Sequence, residues 1–166
     1  MPTREQPPLE GAEEGEETAQ ATCLVHLSAA LTLVGDSAGE LHLWTPPGVS
    51  PTPIATFDLS SLFTEIDVLH ATPLHDPDEP TAEPTTWHII IGGVGASDGA
   101  GGSLVCRFEL SLPSVADMSN ERSADEQLHV RLLPLGDVAV DGAVTAMSFE
   151  PSGEQGIVAT DGGSLW

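Results

Sequence analysis

From residue 21 onward the chain repeats one pattern three times: an apolar strand-like run, a turn, a second apolar run, a glycine turn and a third run. The first pass reads CLVHLS (23–28), LTLVGDS (31–37), then Gly39 and ELHLW (40–44), with PIATFDL (53–59) as a fourth strand after a proline-rich turn. The second reads EIDVLHA (65–71), WHIIIGG (87–93), Gly101-Gly102 and SLVCRFEL (103–110), with LHVRLLPL (128–135) as its fourth strand. The third reads AVTAMSFEPSG (143–153), GIVATDG (156–162), then Gly163 and SLW (164–166). In ELHLW, Leu41 and Leu43 share one face while His42 and Trp44 share the other, the period of a half-buried strand. Val144, Ala146 and Ser148 oppose Thr145, Met147 and Phe149 in the same way. LTLV and IIIGG are apolar on both faces, which suits strands buried between two layers. Helical periodicity is weak, and SLFTEIDVL (61–69) is the one stretch that fits a helical turn or two. The pattern predicts an all-β fold.

Around these runs the chain is polar. Residues 1–20 carry six Glu and one Arg and almost nothing that packs, the composition of a disordered acidic tail. TPLHDPDEPTAEPTT (72–86) and PSVADMSNERSADEQ (113–127) are poor in apolar residues and read as surface loop inserts. The chain has 166 residues, 40% of them hydrophobic, which suits one domain-sized core in residues 21–166 rather than two. Aromatics amount to 4% with no Tyr, so Leu, Val, Ile and Ala must build that core.

Charge narrows the function classes. Asp and Glu total 26 against four Arg and no Lys, a formal net charge of −22. Counterion release from a phosphate backbone needs cations, so direct binding to nucleic acid or anionic membrane is excluded as a reading. The acidity serves solubility, or it meets a basic protein partner; net charge speaks more to the former. No apolar run approaches the roughly 18 residues of a spanning helix, and the first 20 residues lack the apolar stretch of a secretory signal. Cys23 and Cys106 are isolated thiols in apolar runs, best read as buried and reduced. A cytoplasmic location follows as the expectation, with nuclear or ciliary and centriolar association left open.

Here the residues resemble WD40 repeats. AVTAMSFEPSGEQGIVATDGGSLW is similar to the blade pattern VxxxxFxPxGxxxxxxxxDGxxxxW, and LTLVGDSAGELHLW resembles the second and third strands of a blade, with Trp44 at the closing aromatic position. Gly39, Gly102 and Gly163 lie 63 and 61 residues apart, against roughly 40–45 for such blades, and the two inserts account for the difference. The pattern departs from the family in lacking a Gly-His dipeptide and a Trp-Asp, which puts the usual His–Asp supporting network in doubt and leaves open a less regular propeller family. Phe108 also lies one residue late relative to Gly102, implying a bulge or register shift. The resemblance implies a partial WD40-like β-propeller of about two and a half blades, at about 22–59, 64–135 and 143–166, where closed rings have about four to eight. It implies a non-enzymatic protein–protein interaction scaffold and a fragment of a longer protein, whose missing blades are supplied in cis or in trans.

Four features carry candidate chemistry. Gly35-Asp36-Ser37-Ala38-Gly39 matches G-x-S-x-G and resembles the GDSAG elbow of hormone-sensitive-lipase-like esterases, which makes an esterase using Ser37 the alternative function. That chemistry needs a helix after Ser37, whereas ELHLWTPPG follows; Asp125 and His129 lie downstream in the right order. The glycines from Gly92 to Gly102 are followed by a strand and by no Lys, unlike a phosphate-cradling loop. His70, His75, Asp76, Asp78 and Glu79 are suitable metal ligands by type, but they lie in a proline-containing stretch that reads as solvated loop. Trp44, Trp87 and Trp166 suit either an interaction surface or, given their strand positions, packing between layers. No residue is assigned as catalytic, cofactor-binding or metal-ligating, and no cofactor is expected.

Overall fold

The computed structural model describes residues 18–46, 49–75, 78, 82–96, 102–113, 130–151 and 155–164. Among them the protein is all-β and every strand pairing is antiparallel. The first sheet has the order β1 (Ala21–Ser28), β2 (Leu31–Asp36), β3 (Glu40–Trp44), β4 (Ala55–Asp58). The second has the order β5 (Phe63–Leu74), β6 (Thr86–Gly95), β7 (Ser103–Ser111), β8 (Arg131–Val140). A hairpin of β9 (Val144–Phe149) and β10 (Gly156–Thr160) makes the third. Each strand pairs with its sequence neighbour, so each sheet is a meander, and no sheet closes on itself.

The three sheets share one register. Ala21, Ile66 and Val144 pair with Asp36, Gly93 and Thr160 respectively, and in each case the next residue of the first strand is an unpaired extra one. Pairing then resumes at Cys23 with Gly35, Val68 with Gly92, and Ala146 with Ala159. The extra residues are Thr22, Asp67 and Thr145. Such a bulge re-aims one side chain and sharpens the local twist. The Thr22 hydroxyl donates to the Gly35 carbonyl at 3.0 Å and also meets the carbonyl of Ile66. Thr145 donates to the Ala159 carbonyl at 3.1 Å, the same bond two repeats further on.

Asp67 has no proton to offer in its ionised form, and burial, then the nearby Glu65, raises its carboxyl above the usual carboxylate range. Asp67→Thr is therefore expected to stabilise the protein by about 0.5–1 kcal/mol at neutral pH, supplying the donor its counterparts have. A raised folded-state value favours folding below the unfolded value and loses that contribution as pH rises through it. The gain from threonine should accordingly grow as Asp67 ionises, which urea titrations on either side of that range would measure. A variant less stable than the parent at neutral pH would refute the equivalence of the three bulges.

Sheet-to-sheet packing uses alternate faces of the same strands. Leu33, Leu41 and Leu43 of the first sheet meet Ile89, Ile91 and Phe108 of the second in one core. Ile90 and Val105 on the opposite face of the second sheet join Val144 and Val158 of the hairpin in another. The run Ile89–Ile91 is thus buried on both sides, as its composition predicts. In LTLV only Leu31 and Leu33 are buried, while Thr32 and Val34 are half-buried. The first strands lie next to one another, with β5 against both β1 and β9. Close approach needs small residues at two points: a Cβ on Gly35 would sit 2.6 Å from Ile66, and one on Gly92 would sit 2.9 Å from Val144.

Several element boundaries differ from those the sequence predicts. The insert at 72–86 is shorter, because β5 continues to Leu74 and β6 starts at Thr86. Pro73 is accommodated because β5 is an edge strand, where a missing N–H breaks no central ladder. Over 61–69 a single turn closes, with the N–H groups of Leu62 and Phe63 both donating to the Leu59 carbonyl, and extended chain follows from Phe63. The fourth strand of the second sheet is Arg131–Val140 rather than 128–135. It is largely exposed, so burial imposes no alternation, and Gly136-Asp137 is paired strand instead of a turn. A register shift does fall at Phe108, with Leu135 of β8 as the extra residue. At the other end, Gln20 is already hydrogen-bonded to Ser37, so order reaches back into the predicted tail; residues 1–17 lie outside the described residues, as do 114–129.

Candidate functional site

The turn between β2 and β3 gathers the densest polar chemistry. Asp36 ends β2 almost fully buried. Its Oδ1 accepts from the backbone N–H groups of Ala38 and Glu40 at 2.9 and 2.8 Å, while Oδ2 lies 3.0 Å from His42 Nε2. His42 Nδ1 is 3.1 Å from the Thr56 hydroxyl, which carries the chain of bonds across β3 to β4. Glu40 Oε2 stands 3.7 Å from the same His42 nitrogen. Burial alone would raise the Asp36 carboxyl, but the His42 hydrogen bond and the N–H groups of Glu40 and Ala38 outweigh it and hold it below the usual range.

Asp36, Glu40 and His42 have the donor types of a metal site and stand close together. Both Asp36 oxygens are already engaged within the protein, so the arrangement closes a turn and ties three strands together. The sequence did not single it out. Alternation places Glu40 and His42 on one face of β3, but only the register shows that Asp36 reaches them.

Ser37 sits in that turn beside Asp36. Its hydroxyl accepts from the Gln20 N–H at 3.0 Å, and its own N–H donates to the Gln20 carbonyl at 2.9 Å. Asp161 does the same in the hairpin: Oδ1 accepts from the Ala143 N–H at 2.8 Å, and its N–H donates to the Ala143 carbonyl at 3.0 Å. The Ser37 oxygen therefore holds the entry of a first strand, a task a carboxylate performs equally well in the third repeat. Strand β3 follows Gly39, where a nucleophile elbow would need a helix. Asp125 and His129 lie outside the described residues.

The other candidates disperse. His70 lies in β5 with its ring 5.3 Å from that of Phe149, and burial lowers its basicity. His75 is exposed beyond the end of β5; Asp76 and Glu79 fall outside the described residues. Of the glycine-rich stretch, Gly92 to Gly95 are strand and 97–101 lie outside the described residues. Trp87 is packed in the core between the first two sheets and Trp44 is half-buried, while Trp166 is outside the described residues. Both cysteines are free thiols, and burial, helped by Asp137, pushes that of Cys106 up to about 12. A thiol so protonated is a poor nucleophile.

A groove of about 560 Å³ lies between the outer strands of the second sheet and the hairpin. Val105, Leu135, Val138, Phe149 and Val158 line it, with Arg107 and Asp137 in the wall. Arg107 reaches the His88 ring at 3.1 Å, and its Nε is buried without a hydrogen-bond partner among the described residues. In the joint between the first two sheets the corresponding level is filled by β3, whose Leu41 and Leu43 are fully buried, and by Ala55 and Phe57 of β4. Leu135 and Val138 stand 45% and 49% exposed because nothing among the described residues plays that part here.

Fold and site together define an all-β protein of stacked antiparallel meanders whose polar clusters close turns and whose open surfaces are sheet faces. No family model matches the chain, and neither a curated protein nor a solved structure matches it. Among the described residues, no helix is long and apolar enough to cross a membrane.

Proposed function

We propose that the chain forms part of a WD40-like β-propeller and works as a non-enzymatic scaffold for protein–protein interaction. The observation that carries this reading is the recurrence of one bulge and one register in all three sheets, with the first strands side by side. A repeated joint of that kind stacks blades around an axis, and propellers present the resulting rims and faces to other proteins. The step from fold to scaffold is one of analogy, since a fold hosts many functions. With 26 acidic residues against four Arg, the partners it fits are proteins with basic surfaces, in the cytoplasm, rather than nucleic acid or membrane. The hydrolase alternative is weakened by the engagement of the Ser37 hydroxyl with Gln20.

Two measurements on the full chain test this proposal. Nuclear Overhauser contacts are expected between the Ile66 methyls and Gly35 Hα, and between the Val144 methyls and Gly92 Hα; their absence would discard the stacked-blade reading. A fluorophosphonate probe is expected to leave Ser37 unmodified. Labelling that disappears in Ser37→Ala would replace the scaffold with a serine hydrolase.

A further inference from the structure

The two joints inside the molecule use one set of positions, and the same positions recur, uncovered, at both ends of the stack. In the first joint Leu33 of β2 is fully buried beside Gly35; in the second, Ile90 of β6 is 2% exposed beside Gly92. Register equivalence places Ile157 and Ala159 of β10 in those roles. Ile157 is 57% exposed. The receiving side behaves likewise: Leu69 of β5 and Met147 of β9 pack into the two cores, whereas their counterpart Leu24 of β1 is 60% exposed.

Each end face has small or uncharged neighbours directly beside its apolar centre, and on the β1–β2 side His42, paired with Val34, brings the Asp36 and Glu40 carboxylates onto the same sheet face. Ala146 and Ser148 flank Ile157, while His26 and Val34 flank Leu24. One end thus carries the donor half of a joint and the other its acceptor half. Resting on the stacked-blade reading, we propose that the β9–β10 face docks the β1–β2 face of a second copy of this chain, head to tail, repeating the internal joint between molecules.

Such a contact is heterologous: each copy uses one face as donor and the other as acceptor, and the assembly grows until it closes. The high negative charge opposes association at low ionic strength, so sedimentation velocity belongs in about 0.5 M salt, where screening acts within a few ångströms. Wild-type chain is expected to form larger species as concentration rises. Leu24→Glu and Ile157→Glu should each weaken this at least tenfold, and Ser148→Arg, on the same face as Ile157, should act alike. All three side chains are exposed or on an open face, and circular dichroism will show an unchanged β spectrum.

The decisive arm mixes Leu24→Glu with Ile157→Glu in equal amounts. Each variant retains the half the other has lost, so a species of two chains should return and grow no further. Wild-type chain that stays monomeric, association that survives both variants, or a mixture that stays monomeric would each overturn head-to-tail docking. If the Ile66–Gly35 and Val144–Gly92 contacts are present in that monomer, the blade reading stands and the docking alone fails; if they are absent, both fail.

Discussion

Gly39→Ala is expected to lower the free energy of unfolding by about 3 kcal/mol or more, with the urea midpoint falling and the slope unchanged. Two separate penalties combine. Gly39 has φ = +76°, a conformation that costs an L-residue about 1 kcal/mol. A Cβ there would also lie 2.1 Å from the Phe63 carbonyl oxygen and 3.2 Å from Ser60 Cα. Neither neighbour is the flexible end of a side chain, so backbone must move. Phe63 is fully buried at the start of β5, and shifting it disturbs the core between the first two sheets. Gly163 separates the terms: its φ is +80°, yet nothing among the described residues lies within 4 Å of the position a Cβ would take. Gly163→Ala should cost only the conformational part, about 1 kcal/mol. Equal losses in the two variants would show that the Gly39–Phe63 approach is relaxed in solution.

Asp36→Ala is the second substitution with a large expected effect, about 2–4 kcal/mol at neutral pH. It leaves the N–H groups of Ala38 and Glu40 and the Nε2 of His42 without the acceptor that now serves them. An abandoned donor in a half-buried turn carries its desolvation penalty, which exceeds the net value of the bond itself. Because the Asp36 carboxyl is held below its ordinary value of 3.8, its contribution is present above that value and lost as pH falls through the lower, folded-state one. The difference between wild type and variant should therefore be full at neutral pH and shrink in acid. A difference that stays constant into strong acid would mean that the ionised carboxylate is not what closes the turn.

What the sequence disclosed and what it withheld follow from how burial is distributed. Strands with one wet face write their burial into the alternation and those with none into an unbroken apolar run, so β2, β3, β6 and β7 are legible from LTLV, ELHLW, IIIGG and SLVCRF. Strand β8 is exposed along most of its length, so it leaves no alternation, and Gly136-Asp137 passes for its end. Pro73 argues against a strand unless one knows that β5 lies at an edge. The bulges at Thr22, Asp67 and Thr145 are invisible in a single sequence because they are properties of pairing. The Asp36–His42 bond was hidden for the same reason: the two residues lie on different strands, and Asp36 reads first as part of a G-x-S-x-G match. Once the register is known, Ser37 and Asp161 fall on one position, and the apparent nucleophile becomes a strand clamp.

The repeated bulge has a consequence for how such a molecule can change length. Because each sheet offers its neighbour an equivalent seam, a whole four-stranded module can be duplicated or deleted without any seam being redrawn. Removing a lone strand is different in kind. It strips one sheet face and leaves the opposite face of its neighbour bare, as the groove beside Arg107 and Val138 already illustrates. Lineages descending from such an architecture should therefore differ by entire modules, with inserts tolerated in the loops between strands and the seams themselves kept small, apolar and glycine-bearing.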